Sequence, residues 1–275
     1  MIDDPRGRID YDEYGTGPTL VLVPGSCSTG AAWRPVMAGL DGRFRCVTTS
    51  LLGYGGTAER RTAQDTSIVH ETEIVEAVVR KAGGPVHLVG HSFGGIVALT
   101  VALRGKVAVS GLTVLEAPAA DVLREYGEMP HYGAFRAMTD RYFAAFAAGD
   151  ADAIAIMIDF YGGAGTYASW PERVRAYAAQ TTAVNIRDWA SAYAFPLWRT
   201  ALAAVAVPTL VAWGEASHPA AQRANALLAQ SIRGARAAVI AGAAHFMIAT
   251  HADAVANLIA DHALAAAGAI VSTAG

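Results

Sequence analysis

Residues 89–95 read VGHSFGG, and the fold turns on whether this is a plain turn or a turn built around a reactive serine. Three glycines, one histidine and one serine fall between the apolar run VHLV (86–89) and the small-residue run beginning at Phe93. The first run predicts a buried strand and the second a helix packed on a sheet. A glycine-rich strand-to-helix turn can cradle phosphate, but the dinucleotide form needs G-x-G-x-x-G and the P-loop needs a lysine after its last glycine. Neither this turn nor GYGG (53–56) has that spacing, so no nucleotide cofactor is expected. The pattern that fits is G-x-S-x-G, with Ser92 at its centre. Such a turn strains the serine backbone, and the flanking glycines leave room for it.

A serine hydroxyl is a weak nucleophile without a base. Of eight histidines, His245 in AGAAHFMIA follows the last predicted strand, with the small residues Gly242 and Ala243 before it. It is the expected base. His91 is expected to be an exposed or half-packed neighbour, and His87 a packed strand residue. His70, His131, His218, His251 and His262 are expected on the surface or at helix caps. No cluster has metal-ligand spacing, so no metal is expected.

Working outward, strand signals fall at residues 19–23 (TLVLV), 43–49, 86–89, 112–116 (LTVLE), 207–213 and 236–240. Residues 8–18 read as a hairpin-like opening. Helical signals lie between the strands, at 31–40, 66–82, 93–103, 219–231 and 253–267. In the second of these Ile68, Ile74, Val75, Val78 and Val79 form the apolar stripe, with Glu71, Glu73 and Glu76 outside it. Strand–helix alternation predicts an α/β protein with a mostly parallel sheet flanked by helices. It breaks at Pro118, and residues 119–200 read as an aromatic-rich helical insertion. The expected organisation is a core of residues 1–118 and 201–275 with a cap of residues 119–200. The Ala-rich tail LAAAGAIVSTAG (264–275) is expected to fray.

Hydrophobic residues make up 53 % of the 275 and charged residues 16 %, which excludes a disordered chain. A formal charge of −3 gives no reason to expect nucleic acid or a membrane surface as partner. Cys27 and Cys46 suggest neither a disulfide framework nor a metal knuckle; Cys27 reads as a small buried hydrophobe, with a place in the pocket lining as the alternative. No apolar run reaches the length of about 18 residues that a membrane span needs. The N-terminal stretch lacks the pattern of an export signal, so the cytoplasm is the expected location. The expected partner is a small-molecule substrate, and the sequence gives no oligomeric state.

The stretches VLVPGS (21–26), LLGYGG (51–56), VHLVGHSFGG (86–95), LTVLEAP (112–118), PTLVAWGE (208–215) and GAAHF (242–246) together resemble the α/β-hydrolase fold family over essentially the whole chain. The resemblance implies a serine hydrolase with a helical cap, with no cofactor. It implies an oxyanion hole from two backbone N–H groups. One belongs to the residue after the nucleophile, Phe93. The other follows a His-Gly pair, which is Pro24-Gly25 here, and so belongs to Ser26. The family's usual acid is an Asp in a G-x-x-D arrangement, but residues 214–217 read GEAS, so Ser217 stands in its place. Glu116, where some members carry the acid, is the expected third member. Glu215 and no acid at all are the alternatives. Members with an aspartate nucleophile include dehalogenases and epoxide hydrolases, and Ser92 argues against both.

The implied reaction is cleavage of a small or medium, partly hydrophobic carboxylic ester through an acyl-enzyme. A lactonase, a C–C bond hydrolase and a non-catalytic ligand-binding protein are the alternatives. The cap aromatics Tyr126, Tyr132, Phe135, Phe143, Phe160, Tyr161, Trp170, Trp189 and Trp198 are expected to divide between cap core and pocket. Arg136, Arg141 and Arg187 are the candidates for binding an anionic substrate.

Overall fold

The computed structural model describes residues 1–273, with side chains through residue 267. Its strands are β1 (Ile2–Asp4), β2 (Gly7–Ile9), β3 (Asp12–Tyr14), β4 (Thr19–Val23), β5 (Arg45–Thr48), β6 (Val86–His91), β7 (Val109–Leu115), β8 (Thr209–Gly214) and β9 (Arg236–Ile240). β1 and β2 form a separate hairpin, and the other seven form one sheet in the order β3-β5-β4-β6-β7-β8-β9. Only the β3–β5 pair at one edge is antiparallel. The expected opening hairpin therefore exists, but it turns at residues 5–6, and residues 12–14 join the main sheet instead.

The central strands are apolar throughout because both faces are covered. Period-two alternation sends Val21, Val23, Leu88, Val114 and Val211 to one face, and Leu20, Leu22, Val89, Leu115 and Ala212 to the other. The first face packs on helices Val69–Ala82, Phe93–Arg104 and Pro219–Ser231; the second packs on Arg34–Gly39 and Ala252–Thr273. Burying each such Val or Leu side chain contributes about 1.5–3 kcal/mol, which fixes register as well as fold.

Two expectations fail on these faces. Glu71 and Glu76 are buried, not outside the stripe. Helix Val69–Ala82 is covered on its polar flank too, so Glu76 meets Arg104 at 2.8 Å and Glu71 meets Arg61 at 3.3 Å. His262 is buried, not on the surface. Its Nε2 lies 3.2 Å from the Leu112 carbonyl, and its ring meets His87 edge-on. The last helix extends past the expected 253–267, and the end of the tail expected to fray lies outside the described residues.

Seven helices from Ala120–Glu125 to Arg199–Leu202 lie between β7 and β8 and form the cap. Since β4, β6, β7, β8 and β9 run parallel, their carboxyl ends share one edge of the sheet. The segments that follow carry Ser26, Ser92, Glu116, Ser217 and His245.

Candidate active site

Ser92 sits between β6 and helix Phe93–Arg104 at φ 54° and ψ −128°, a conformation that costs a non-glycine residue free energy. The flanking glycines make it sterically possible. A methyl group on Gly90 would run into the Gly94 carbonyl, and one on Gly94 into the Pro24 carbonyl. The Ser92 N–H donates to Leu115 O at 2.9 Å, which ties the strained turn to β7.

His245 lies on the loop after β9, with Nε2 2.9 Å from Ser92 Oγ and Nδ1 2.9 Å from Glu116 Oε1. The ring is wedged by Tyr161 of the cap, stacked at 4.0 Å between centroids. The His245 carbonyl accepts a hydrogen bond from His91 Nε2 at 2.8 Å. His91 is therefore a buried strut under the catalytic loop, not the exposed or half-packed neighbour expected. A carbonyl only accepts, so His91 carries its proton on Nε2.

Glu116 directly follows β7, at φ 44°, and is fully buried. Its Oε2 accepts from the Gly214 N–H at 2.9 Å and from the Ser217 hydroxyl at 2.5 Å. Burial alone would raise its pKa, but the bonds from His245, Gly214 and Ser217 hold it below the ordinary glutamate value. An ionised Glu116 fixes the His245 proton on Nδ1 and leaves Nε2 free to take the Ser92 proton. Glu215 points elsewhere, accepting from the Gly242 N–H at 2.9 Å. Ser217, in the place where the acid usually stands, is itself a ligand of the acid.

The triad opens into a cavity of about 700 Å³ between sheet edge and cap. Met157, Ile158, Trp170, Trp189 and Ile248 give it an apolar wall, and Ser26, Cys27 and Phe93 line it beside Ser92. Burial, reinforced by the charge of Asp188, pushes the Cys27 thiol up to about 12, so it stays protonated. Of the cap aromatics named above, Tyr161, Trp170 and Trp189 reach the cavity, and Tyr177 joins them. Phe135 is cap core and Trp198 is 54 % exposed. Arg136, Arg141 and Arg187 do not line the cavity; the arginines that do are Arg34 and Arg173, both exposed.

Sequence reasoning missed a buried ionic cluster. Asp188, on cap helix Thr182–Ala194, places Oδ1 2.6 Å from Arg61 and accepts from Ser26 Oγ at 2.5 Å and Tyr54 OH at 2.7 Å through Oδ2. Arg61 also meets Glu71 and Glu59. Burial raises Asp188 against the pull of Arg61, and raises Glu71 likewise. The cluster pins the cap to the loop carrying Ser26. Its one sequence signal is the spacing of Asn185, Asp188, Trp189 and Ala192, a helical stripe with polar members.

Burial pushes His87 and His91 down to about 3. Once unfolded, each takes a proton near its ordinary value. Between those values the unfolded chain binds protons that the folded chain refuses, so stability falls as pH drops from about 6.5 towards 3. Each histidine contributes a slope of up to about 1.4 kcal/mol per pH unit in that window. Urea melts at about pH 7.5 and 4.5 are expected to show this loss, and His87→Gln is expected to shrink it. An unchanged pH slope in that variant would count against the assignment.

Among the described residues, no group of three or more His, Cys, Asp or Glu is arranged to hold a metal ion, and no helix is long and apolar enough to cross a membrane.

A serine, a carboxylate and a histidine in that chain order, linked by hydrogen bonds at a sheet edge, form the arrangement of a serine-hydrolase catalytic triad. The chain belongs to the alpha/beta hydrolase family, which it matches over residues 20–258. It is similar to haloalkane dehalogenase 2 of Mycobacterium tuberculosis, at 31 % identity over 41 % of this chain and 39 % of that protein. It is similar also to the pimeloyl-[acyl-carrier protein] methyl ester esterase of Vibrio campbellii, at 34 % identity over 40 % of this chain and 42 % of that protein. Across such curated relatives the match spans between 8 % and 42 % of their own length. In three dimensions the chain resembles Est816, described as an N-acyl homoserine lactone degrading enzyme. The TM-score is 0.74 at 22 % identity, covering 94 % of this chain and 98 % of that one.

Proposed function

We propose that the protein hydrolyses a small or medium, partly hydrophobic carboxylic ester through an acyl-serine intermediate. The observation that carries this reading is His245, hydrogen-bonded at once to Ser92 Oγ and Glu116, at the floor of an apolar cavity. Ser92 Oγ bonds to the carbonyl carbon as its proton passes to His245 Nε2. That proton then goes to the leaving alcohol as the carbon–oxygen bond breaks. Water, deprotonated by the same nitrogen, attacks the acyl-serine and frees the acid and Ser92.

The N–H groups of Ser26 and Phe93 are the proposed oxyanion donors. Phe93 opens its helix, so its N–H has no intrahelical partner, and both residues line the cavity beside Ser92. Cys27, next to Ser26, has φ 57°, a kink that supports a loop turned towards the nucleophile. Residues 119–200 are proposed as a cap unit over a core of 1–118 and 201–275.

The name of the Vibrio campbellii relative favours ester chemistry. The similarity to a dehalogenase does not carry over its reaction, because the nucleophile here is a serine. The intact triad opposes a purely ligand-binding role. A panel of p-nitrophenyl esters from acetate to octanoate, with γ- and δ-lactones beside them, tests the reading. Turnover is expected on the short and medium esters. No turnover on any of them would sink it, and turnover confined to lactones would move the substrate to cyclic esters.

A further inference from the structure

Ser26 carries two hydrogen-bond donors with different partners. Its N–H, a proposed oxyanion donor, has no hydrogen-bond partner among the described residues. Its hydroxyl is tied down: Oγ donates to Asp188 Oδ2 at 2.5 Å, from the loop after β4 to cap helix Thr182–Ala194. Asp188 is buried and held on two further sides. Tyr54 OH donates to the same oxygen at 2.7 Å, and Arg61 Nη1 to Oδ1 at 2.6 Å. On its other side the loop packs on the nucleophile, since a methyl group on Gly25 would come within 2.9 Å of Ser92 Cβ. Ser28 Oγ closes the loop on the Gly25 carbonyl at 2.8 Å. Ser26 thus stands between a fixed carboxylate of the cap and the strained turn of the core. The triad bonds involve neither Asp188 nor the Ser26 hydroxyl.

We propose that Asp188 is a positioning residue for the reaction: through the Ser26 hydroxyl, this cap side chain sets where the Ser26 N–H stands relative to Ser92, so the oxyanion hole is complete only with the cap in place. The inference rests on the reading of Ser26 as an oxyanion donor. A backbone donor stabilises the developing charge only from about 2.7–3.1 Å, and a misplacement of about 1 Å can cost about 10²-fold in rate. The loop that presents this donor has no strand or helix to hold it, and Cys27 next to it is kinked at φ 57°. A bond to an ionised acceptor is among the stronger hydrogen bonds available to a hydroxyl, and this one holds the loop from the cap side. The effect falls on the transition state, because a neutral ester carbonyl asks less of the donor than the oxyanion does.

The test sets a trifluoromethyl ketone against the methyl ketone of the same chain. Ser92 Oγ adds to the carbonyl carbon of the first, its proton passes to His245 Nε2, and the ketone oxygen becomes the oxyanion; the second binds as the neutral ketone. Both affinities are measured by protection of Ser92 from a fluorophosphonate label. Their ratio within each variant reports the oxyanion hole, and a general change in pocket shape cancels. Ser26→Ala keeps the N–H and loses only the tether, and is expected to lower the ratio by about tenfold or more. Asp188→Ala is expected to lower it at least as far. Arg61 keeps Glu59 and Glu71 beside it there, so no buried cation is left unpaired. The double variant is expected to match Asp188→Ala alone, because both changes cut one tether. With the best ester, kcat is expected to fall in parallel while KM stays within about twofold. A ratio in Ser26→Ala within about twofold of wild type overturns the inference, whether or not Asp188→Ala folds. A double variant whose loss is the product of the single losses overturns it too. The ratio needs no turnover, so the ester reading fails separately: a lowered ratio in a protein that cleaves no ester sinks that reading and leaves Asp188 in its role. Failure of Ser92 to take the label at all overturns both.

Discussion

Ser92→Ala is expected to lower kcat/KM by about 10⁶-fold, the largest effect of any single change in the chain. The hydroxyl is the only atom lost, and its bond to His245 Nε2 is the contact that makes it reactive. Alanine keeps Cβ and the strained turn, and the Ser92 N–H still reaches Leu115 O, so the fold is expected to survive. What would remain is an apolar cavity with the proposed backbone donors and a histidine, able on the proposed reading to hold an ester and to activate water weakly. That residue of machinery accounts for rates still above those of the uncatalysed reaction, by about 10³-fold. Steady-state turnover of the best ester, with labelling by a fluorophosphonate as a second readout, checks both halves. The wild type should take the label on Ser92 and the variant should not. Turnover within tenfold of wild type would exclude a serine nucleophile.

The parts of this site that lie next to one another in sequence were legible there. Gly90, Ser92 and Gly94 announce a strained turn because the sterics are local. The strand runs on either side announce the sheet because both its faces are dry. His245 could be picked from eight histidines because it follows the last strand. Glu116 could not be separated from Glu215 on the same grounds. β7 and β8 are neighbours in the sheet, so the ends of both approach the histidine, and only side-chain direction decides. The Asp188 cluster was invisible for a stronger reason. Its members come from residues 26, 54, 59, 61, 71 and 188, and each reads as a surface or turn residue until the cap covers the core. Glu71 shows the failure plainly: helix periodicity put it towards solvent, and Arg61 draws it inside.

Glu116→Gln is expected to cost about 10⁴-fold in kcat. Glutamine fills the same volume, but its amide can present an N–H to His245 Nδ1, which favours the tautomer with the proton on Nε2. That tautomer cannot accept the Ser92 proton, and no carboxylate steadies the imidazolium that forms. Glu215→Gln, by contrast, is expected to stay within about twofold, because that carboxylate accepts from Gly242 and does not touch the histidine. The neighbouring serine offers a sharper test than either. Ser217 Oγ sits 2.5 Å from Glu116 Oε2, so an aspartate at 217 in an otherwise native site would put two carboxylates together and is expected to impair the enzyme. With residue 116 made neutral the repulsion is gone, and the new carboxylate lies one strand end from the same ring. Glu116→Gln with Ser217→Asp is therefore expected to recover about tenfold or more of the loss from Glu116→Gln alone, measured as kcat on the best ester. A double variant no faster than the Glu116→Gln single would mean that β8 cannot deliver an acid to His245 in this fold. A single Glu116→Gln as fast as wild type would remove Glu116 from the triad.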